Sequence, residues 1–98
     1  MANNTFFKAL ADPTRRRILK MLNHGELTAG DISKVFDISA PSMSHHFNIL
    51  KEANLISSRR EGQQILYSLN TTVFEDVMNA LLDIFAKPKE QQESEKAS

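Results

Sequence analysis

Residues 39–55 read SAPSMSHHFNILKEANL, and this stretch decides the fold. Ser39 offers the hydroxyl of a helix N-cap, and Pro41 suits the first turn, where its missing N–H costs nothing. At about 100° per residue, with Met43 at zero, Phe47, Leu50 and Asn54 return to within about 40° of it. Pro41, Ser44, His45, Asn48 and Glu52 fall between about 100° and 200°. The helix of about residues 40–53 therefore has one buried stripe and one wet face. Its first two wet turns carry small hydrogen-bonding side chains and no acid, the composition an element needs if its N-terminal part enters a major groove. Ser44, His45 and Asn48, with Pro41 and Ser42 at the helix start, are the candidate base contacts. His46 falls near −60°, at the border of the stripe; packing or a bond to a backbone carbonyl is its expected role.

Working upstream, Asp37-Ile38-Ser39 predicts a tight turn. Before it, Thr28 and Asp31 make a capping-box-like start to a helix of about eight residues, with Ala29, Ile32, Val35 and Phe36 at helical spacing. Two helices, a short turn and an apolar lock make a helix-turn-helix pattern. Further upstream, Asp12 caps and Pro13 opens a helix in which Ile18, Leu19 and Leu22 line one face until Gly25. A two-turn helix capped by Asn3 or Asn4, with Phe6, Ala9 and Leu10 on one side, ends before Pro13. Arg15, Arg16, Arg17 and Lys20 point around their helix rather than to one surface. One arginine reaching DNA phosphates, one pairing with an acid on the last helix and the rest solvated are the roles left open for them.

Working downstream, residues 56–69 read as a β-hairpin turned by Glu61-Gly62-Gln63, with Ile65, Tyr67 and Leu69 alternating against Gln64, Leu66 and Ser68. Thr71 or Thr72 then caps a final helix. Val73, Val77, Ala80, Leu81 and Ile84 form its stripe, widened by Phe74, Met78, Leu82 and Phe85, which is too apolar for an exposed monomer surface. The whole is mostly α with a β-hairpin wing: four helices, the hairpin, then a fifth helix. Residues 1–86 form one domain and 87–98 a polar tail. Phosphate binding needs cations or N–H donors flanking the reading helix. Lys51, Arg59 and Arg60, the neutral donors Gln63 and Gln64, and the helix starts at Thr28 and Ser39 are the candidate DNA-backbone contacts. Against this, hairpin arginines also serve as edge charges that discourage strand pairing.

The chain has 98 residues, with 12 Lys plus Arg, 12 Asp plus Glu, and no Cys. A domain of this size buries only about 60–65% of its unfolded surface, so a partner subunit would help it. Disulfide and thiolate chemistry is excluded. No segment reads as a leader or a membrane span, and a cytoplasmic protein is expected. The zero net charge is a sum over separated parts. Residues 13–60 hold eight bases and four acids, whereas residues 71–86 hold three acids and no base. No Gly-x-Ser-x-Gly elbow, phosphate loop or His-Glu-x-x-His is present, so an enzyme is not expected.

The segments ALADPTRRRILKML, ELTAGDIS and SAPSMSHHFNILKEANLISSRREGQQILYSLN together resemble the ArsR family of winged-helix repressors and, within it, the SdpR-like autorepressors. The likeness covers nearly all of residues 5–86. It implies a homodimer built from the first and last helices, through Phe6, Phe7, Leu10, Val73, Val77, Leu81, Ile84 and Phe85. It also implies a fourth helix in the major groove of a double-stranded DNA operator, a hairpin wing, and repression by blocking a promoter. Family members that sense metals use a Cys-x-Cys in the segment that here reads Glu26-Leu27-Thr28-Ala29-Gly30-Asp31-Ile32, or Asp and His on the last helix. Both thiols are missing, and the last helix offers Glu75, Asp76 and Asp83 but no His. His45 and His46 point about 100° apart and cannot chelate one ion together. No metal site and no cofactor are expected. Three release signals stay open: a protein partner that sequesters the dimer, an unidentified ligand between subunits, or the repressor's own concentration. The competing reading is a winged-helix module whose wet helix docks protein.

Overall fold

The computed structural model describes residues 3–87, so the expected tail lies, from Pro88 onward, outside the described residues. In order, the elements are α1 (Asn3–Leu10), α2 (Pro13–Leu22), β1 (Leu27–Thr28), α3 (Ala29–Ser33), α4 (Ala40–Glu52), β2 (Ile56–Glu61), β3 (Gln64–Leu69) and α5 (Thr72–Phe85). The Asp12 carboxylate accepts the Arg15 amide at 3.1 Å, and the Thr28 hydroxyl accepts that of Asp31 at 3.0 Å. Both caps stand where the sequence places them. At α5 the cap is different: Thr71 makes no side-chain cap bond, and Asn70 Oδ1 instead accepts the Thr72 amide at 3.3 Å.

The sheet has a third strand that the hairpin pattern alone did not predict. Leu27 and Thr28 pair antiparallel with Tyr67 and Leu66, giving the order β1-β3-β2. Two residues are too few to show an alternation, so only the pairing reveals them. Helix α3 is also shorter than expected, five residues in place of about eight. The chain leaves it at Lys34, and the helix-turn-helix turn runs through residues 34–39 rather than three residues. Val35 and Ile38 are exposed there in consequence.

Helix α4 packs on α1, α2 and β2, and this three-sided contact buries Ile49 as well as Met43, Phe47 and Leu50. Asn54 is not a fourth member of that stack. It has φ +58° and is exposed. The Leu55 amide donates to Leu50 O at 3.0 Å and the Asn54 amide to Lys51 O at 2.9 Å, the two bonds of a Schellman ending with Asn at the left-handed position. This turn drops Leu55 and Ile56 into the core and launches the hairpin. Ile18, Ile32, Leu50 and Leu55 form the fully buried centre. The Phe47 ring stacks on Tyr67 at 4.4 Å, with 21° between planes, and so fixes the hairpin to α4. Between Glu61 and Gln64, which pair, the two-residue turn needs a positive φ at its first position, and Gly62 supplies it at +64°.

Candidate nucleic-acid interface

Pro41, Ser42, Ser44, His45 and Asn48 are all exposed on α4, and no acid stands among them until Glu52 at the last turn. The five expected base contacts therefore share one open surface. Ser39 Oγ accepts the Ser42 amide at 3.2 Å and donates to Ser42 Oγ at 3.1 Å, which leaves the Ser42 hydroxyl hydrogen free to donate outward. Lys51 is exposed near the end of the same helix.

At the other end of the candidate surface, a cleft of about 250 Å³ lies between the start of α3 and the hairpin turn, lined by Thr28, Ala29, Gly30, Gln63, Gln64 and Ile65. Three residues assigned separately to backbone contact, Thr28, Gln63 and Gln64, meet in it. Their joint placement depends on the β1–β3 pairing, which the sequence pattern did not reveal.

The wing arginines, paired in the sequence, lie on opposite faces of the sheet. Successive residues of a strand point to opposite faces. Arg60, paired across the ladder with Ile65, shares the face that carries Tyr67 and hence the side on which α4 packs. It makes no hydrogen bond or ion pair among the described residues. Arg59 points to the opposite face. Its Nη2 and Nε meet the two Glu26 carboxylate oxygens at 2.7 and 3.2 Å, and Nη1 meets Glu61 Oε2 at 2.8 Å. Those hydrogen bonds and charges raise the Arg59 pKa above its ordinary value. Through these two carboxylates Arg59 ties the hairpin turn to the segment before β1. Glu26, whose role the sequence did not suggest, is the residue that occupies it.

Among the arginines of α2, Arg15 departs from every role left open for the run, whereas Arg16 and Arg17 are exposed, as expected for its solvated members. Arg15 is buried, with 8% of its surface exposed. Its Nε donates to Ala9 O and its Nη2 to Lys8 O, both at 2.9 Å, and its Nη1 lies 3.0 Å from His46 Nδ1. Arg16 Nη1 donates to Leu10 O at 2.7 Å, and Arg17 lies over the Phe36 ring at 5.3 Å. None pairs with an acid of α5. Since arginine only donates, His46 Nδ1 is the acceptor and the neutral ring carries its hydrogen on Nε2. Burial holds the His46 pKa below the ordinary imidazole value; Asp12, 3.9 Å away, pulls the other way but is outweighed with help from Arg15 and His45. Burial acts to raise the Asp12 pKa, but the Arg15 amide, the His46 and Arg15 charges and the Thr14 amide together lower it. His46 thus packs at the border of the core, as one of its two expected roles has it, and its hydrogen-bond partner is a side chain rather than a backbone carbonyl.

Of the residues assigned to a subunit contact, Phe6 and Val77 are core residues of the subunit itself, only 2% and 7% exposed. Leu10, Val73 and Leu81 are half-buried against that core. Phe7, Ile84 and Phe85 are exposed, as are Phe74, Met78 and Leu82 beside them on α5. Between α2 and the start of α5 opens a groove of about 330 Å³, its apolar walls formed by Leu10, Leu19, Leu55, Leu69 and Phe74. Among the described residues there is no cluster of three or more His, Asp or Glu that would hold a metal ion, and no helix long and apolar enough to cross a membrane.

Residues 12–58 match the family model described as "Bacterial regulatory protein, arsR family". The chain is 57% identical over 84 residues to the transcriptional repressor SdpR of Bacillus subtilis, covering 86% of this chain and 93% of that protein. It is 41% identical over 81 residues to the arsenical resistance operon repressor of Staphylococcus xylosus, covering 83% and 77% of the two chains. Among solved structures, that of an ArsR family transcriptional regulator superposes with a TM-score of 0.78 at 31% identity, over 99% of this chain and 93% of the other. With the caps, the helix-turn-helix and the three-stranded wing in place, the chain belongs to the ArsR family of winged-helix bacterial regulatory proteins.

Proposed function

We propose that the protein is a homodimeric transcriptional repressor that binds an operator in double-stranded DNA. The observation that carries this reading is the exposed, acid-free surface of Pro41, Ser42, Ser44, His45 and Asn48 on a helix braced from three sides. Ser44, His45 and Asn48 meet base edges in the major groove, with Pro41 and Ser42 at the helix entrance. Lys51, Arg60 and the Thr28, Gln63 and Gln64 cleft hold the sugar-phosphate backbone, as do the donors at the Ser39 helix start. Arg59 acts on the wing's shape rather than on phosphate.

A second copy covers the exposed apolar surface of α1 and α5, from Phe7 to Leu82, Ile84 and Phe85, with the 330 Å³ groove at its edge. Two copies related by a twofold axis then present two α4 helices to half-sites about 34–36 Å apart. The dimer occupies a promoter and excludes polymerase, with its own promoter as the first candidate. The signal that releases it is not a thiolate-bound metal, since the chain has no Cys, and α5 offers carboxylates without imidazole. The relatives named above are regulators, which supports a role without catalysis.

The test is a footprint on the DNA immediately upstream of the reading frame, at stated salt. Protection of an inverted repeat by nanomolar protein is the expected result. Equal protection of repeat and flanking sequence would remove the operator reading. It would leave the protein-docking module in its place.

A further inference from the structure

Arg15 joins three helices through one guanidinium. It donates to the last-turn carbonyls of Lys8 and Ala9 on α1, belongs to α2, and ends on the Nδ1 of His46 on α4. The α1 carbonyls are among those a helix leaves without an internal partner, so the guanidinium also serves as the end cap of α1. On α4, His46 is the inward neighbour of His45 and stands at the border of the core, whereas His45 is exposed. A buried guanidinium with three acceptors holds its geometry firmly, because loss of any one leaves a desolvated donor or acceptor behind. The link runs from the helix that carries Phe7, at the subunit contact, to the helix that carries Ser44, His45 and Asn48.

We infer that Arg15 and His46 are positioning residues: they form a strut that locks DNA-reading helix α4 against α1, and a proton on His46 unlocks it. The inference rests on the reading of α4 as the DNA-contacting helix. Protonation of Nδ1 removes the acceptor and sets a second cation 3.0 Å from Arg15. Among the described residues, Asp12, 3.9 Å away, is the acid that compensates. The charged groups acting on His46 are Asp12, the N-cap of α2, Arg15 within α2 and His45 of α4 itself; α1 contributes the carbonyl oxygens that hold Arg15. Loss of the strut frees α4 to turn relative to α1, so both half-sites lose register at once.

The experiment uses the full chain in three forms, each also in a His45→Ala background that removes the neighbouring imidazole: wild type, His46→Asn and His46→Phe. Asn places a carbonyl oxygen near the position of Nδ1, whereas Phe removes the acceptor. The first readout is NMR of the DNA-free protein. It is expected to show an unprotonated His46 Nδ1 at neutral pH, and amides of α1 and α4 shifting with one shared midpoint that His46→Asn abolishes. The second is fluorescence anisotropy with a labelled duplex of the DNA immediately upstream of the reading frame and a scrambled duplex of equal length. His46→Phe is expected to weaken binding to the upstream duplex about tenfold, as for one lost hydrogen bond to a charged group. His46→Asn is expected to stay within about twofold of wild type, and to lose the weakening expected of wild type as pH falls below about 6.5. Separate midpoints for α1 and α4, or a His46→Phe protein that binds as wild type does, would overturn the strut. If His46→Phe does not fold, His46→Asn and the shared midpoint still decide. If no form prefers the upstream duplex, the operator reading falls, and the ring-nitrogen spectrum and the midpoints still judge the strut.

Discussion

Leu82→Ala separates the subunit contact from the subunit core. Leu82 lies on α5 with 62% of its surface exposed, whereas Val77, on the same helix, is buried in its own subunit. Fully burying a leucine side chain contributes about 1.5–3 kcal/mol, so the part of Leu82 still exposed has about 1–2 kcal/mol to gain from a partner. In a twofold dimer each substitution counts twice. The expected loss is about 2–4 kcal/mol of dimerisation free energy, which is about 30- to 700-fold in the dimer dissociation constant. Sedimentation over a concentration series measures it, and urea unfolding at a concentration where both proteins are monomeric provides the control. There Leu82→Ala should unfold within about 0.5 kcal/mol of wild type, since it touches no core contact. Val77→Ala should lose stability as a monomer, because it opens a cavity. A Leu82→Ala protein that dimerises as tightly as wild type would move the contact away from α5. Normal dimerisation by Leu82→Glu, which adds a fourth acid to a helix with three, would do so more decisively.

Two further outcomes follow from the geometry. His45→Ala should cost about 1–3 kcal/mol on the operator and relax discrimination at one base pair, measured by competition with single-base variants; equal weakening on random DNA would remove the base-reading role. The second concerns pH. The His46 pKa is depressed below 6.5 and the Asp12 pKa below 3.8, so in each case the unfolded chain binds more protons than the native one, and stability rises with pH. The His46 contribution is whole above about pH 6.5 and is lost as pH falls from there through its folded value. That of Asp12 is whole above about pH 3.8 and is lost below it. Urea midpoints against pH should show both descents, with His46→Asn flattening the upper and Asp12→Asn the lower; a wild-type midpoint independent of pH between 7.5 and 5.5, roughly the imidazole range, would contradict the first.

How much of this was legible in the residues depends on the range over which each feature is determined. The caps at Asp12, Thr28 and Ser39 are local, involving a side chain and an amide three positions on, and each stands as read. The wet face of α4 follows from helical periodicity alone. What stayed hidden was set by contacts remote in sequence. Asn54 fits the helical stripe by angle, but the Schellman ending stops the helix at Glu52, because the chain must turn to bring Leu55 and Ile56 into the core. Ile49 is buried only because α4 is held between neighbours on three sides. Arg15 sits in a run of three arginines with no local mark of burial; its partners are six, seven and thirty-one positions away. Phe6 and Val77 carry the apolar character of a contact residue, and nothing in the pattern tells a subunit's own core from a shared one. The separation of Arg59 from Arg60 was legible, since strand alternation sends neighbours to opposite faces. What the pattern lacked was Glu26, which stands just before a strand only two residues long.

These placements change what the zero net charge means. Residues 13–60 hold a surplus of bases, but several of the eight already have partners within the subunit or line other surfaces. Arg15 is buried, Arg59 is held by Glu26 and Glu61, and Lys34 lies 3.7 Å from Asp31. Arg16 and Lys20 line the groove beside α5, and Arg17 lies on Phe36. On the side where α4 packs on the hairpin, Lys51 and Arg60 remain, which makes four cations in a dimer. Each phosphate neutralised contributes about −0.9 to the slope of log K against log salt, so the operator complex should show a slope near −3.6, shallow for a dimeric repressor. Arg60→Ala should move it by about 1.8, two cations per dimer, whereas Arg59→Ala should leave it almost unchanged. Affinity then rests more on hydrogen bonds from Ser44, His45, Asn48 and the Thr28–Gln63–Gln64 cleft than on charge. A slope near −9 would mean that the committed arginines let go of their partners and turn to phosphate on binding, with the Arg59–Glu26 pair the first to open.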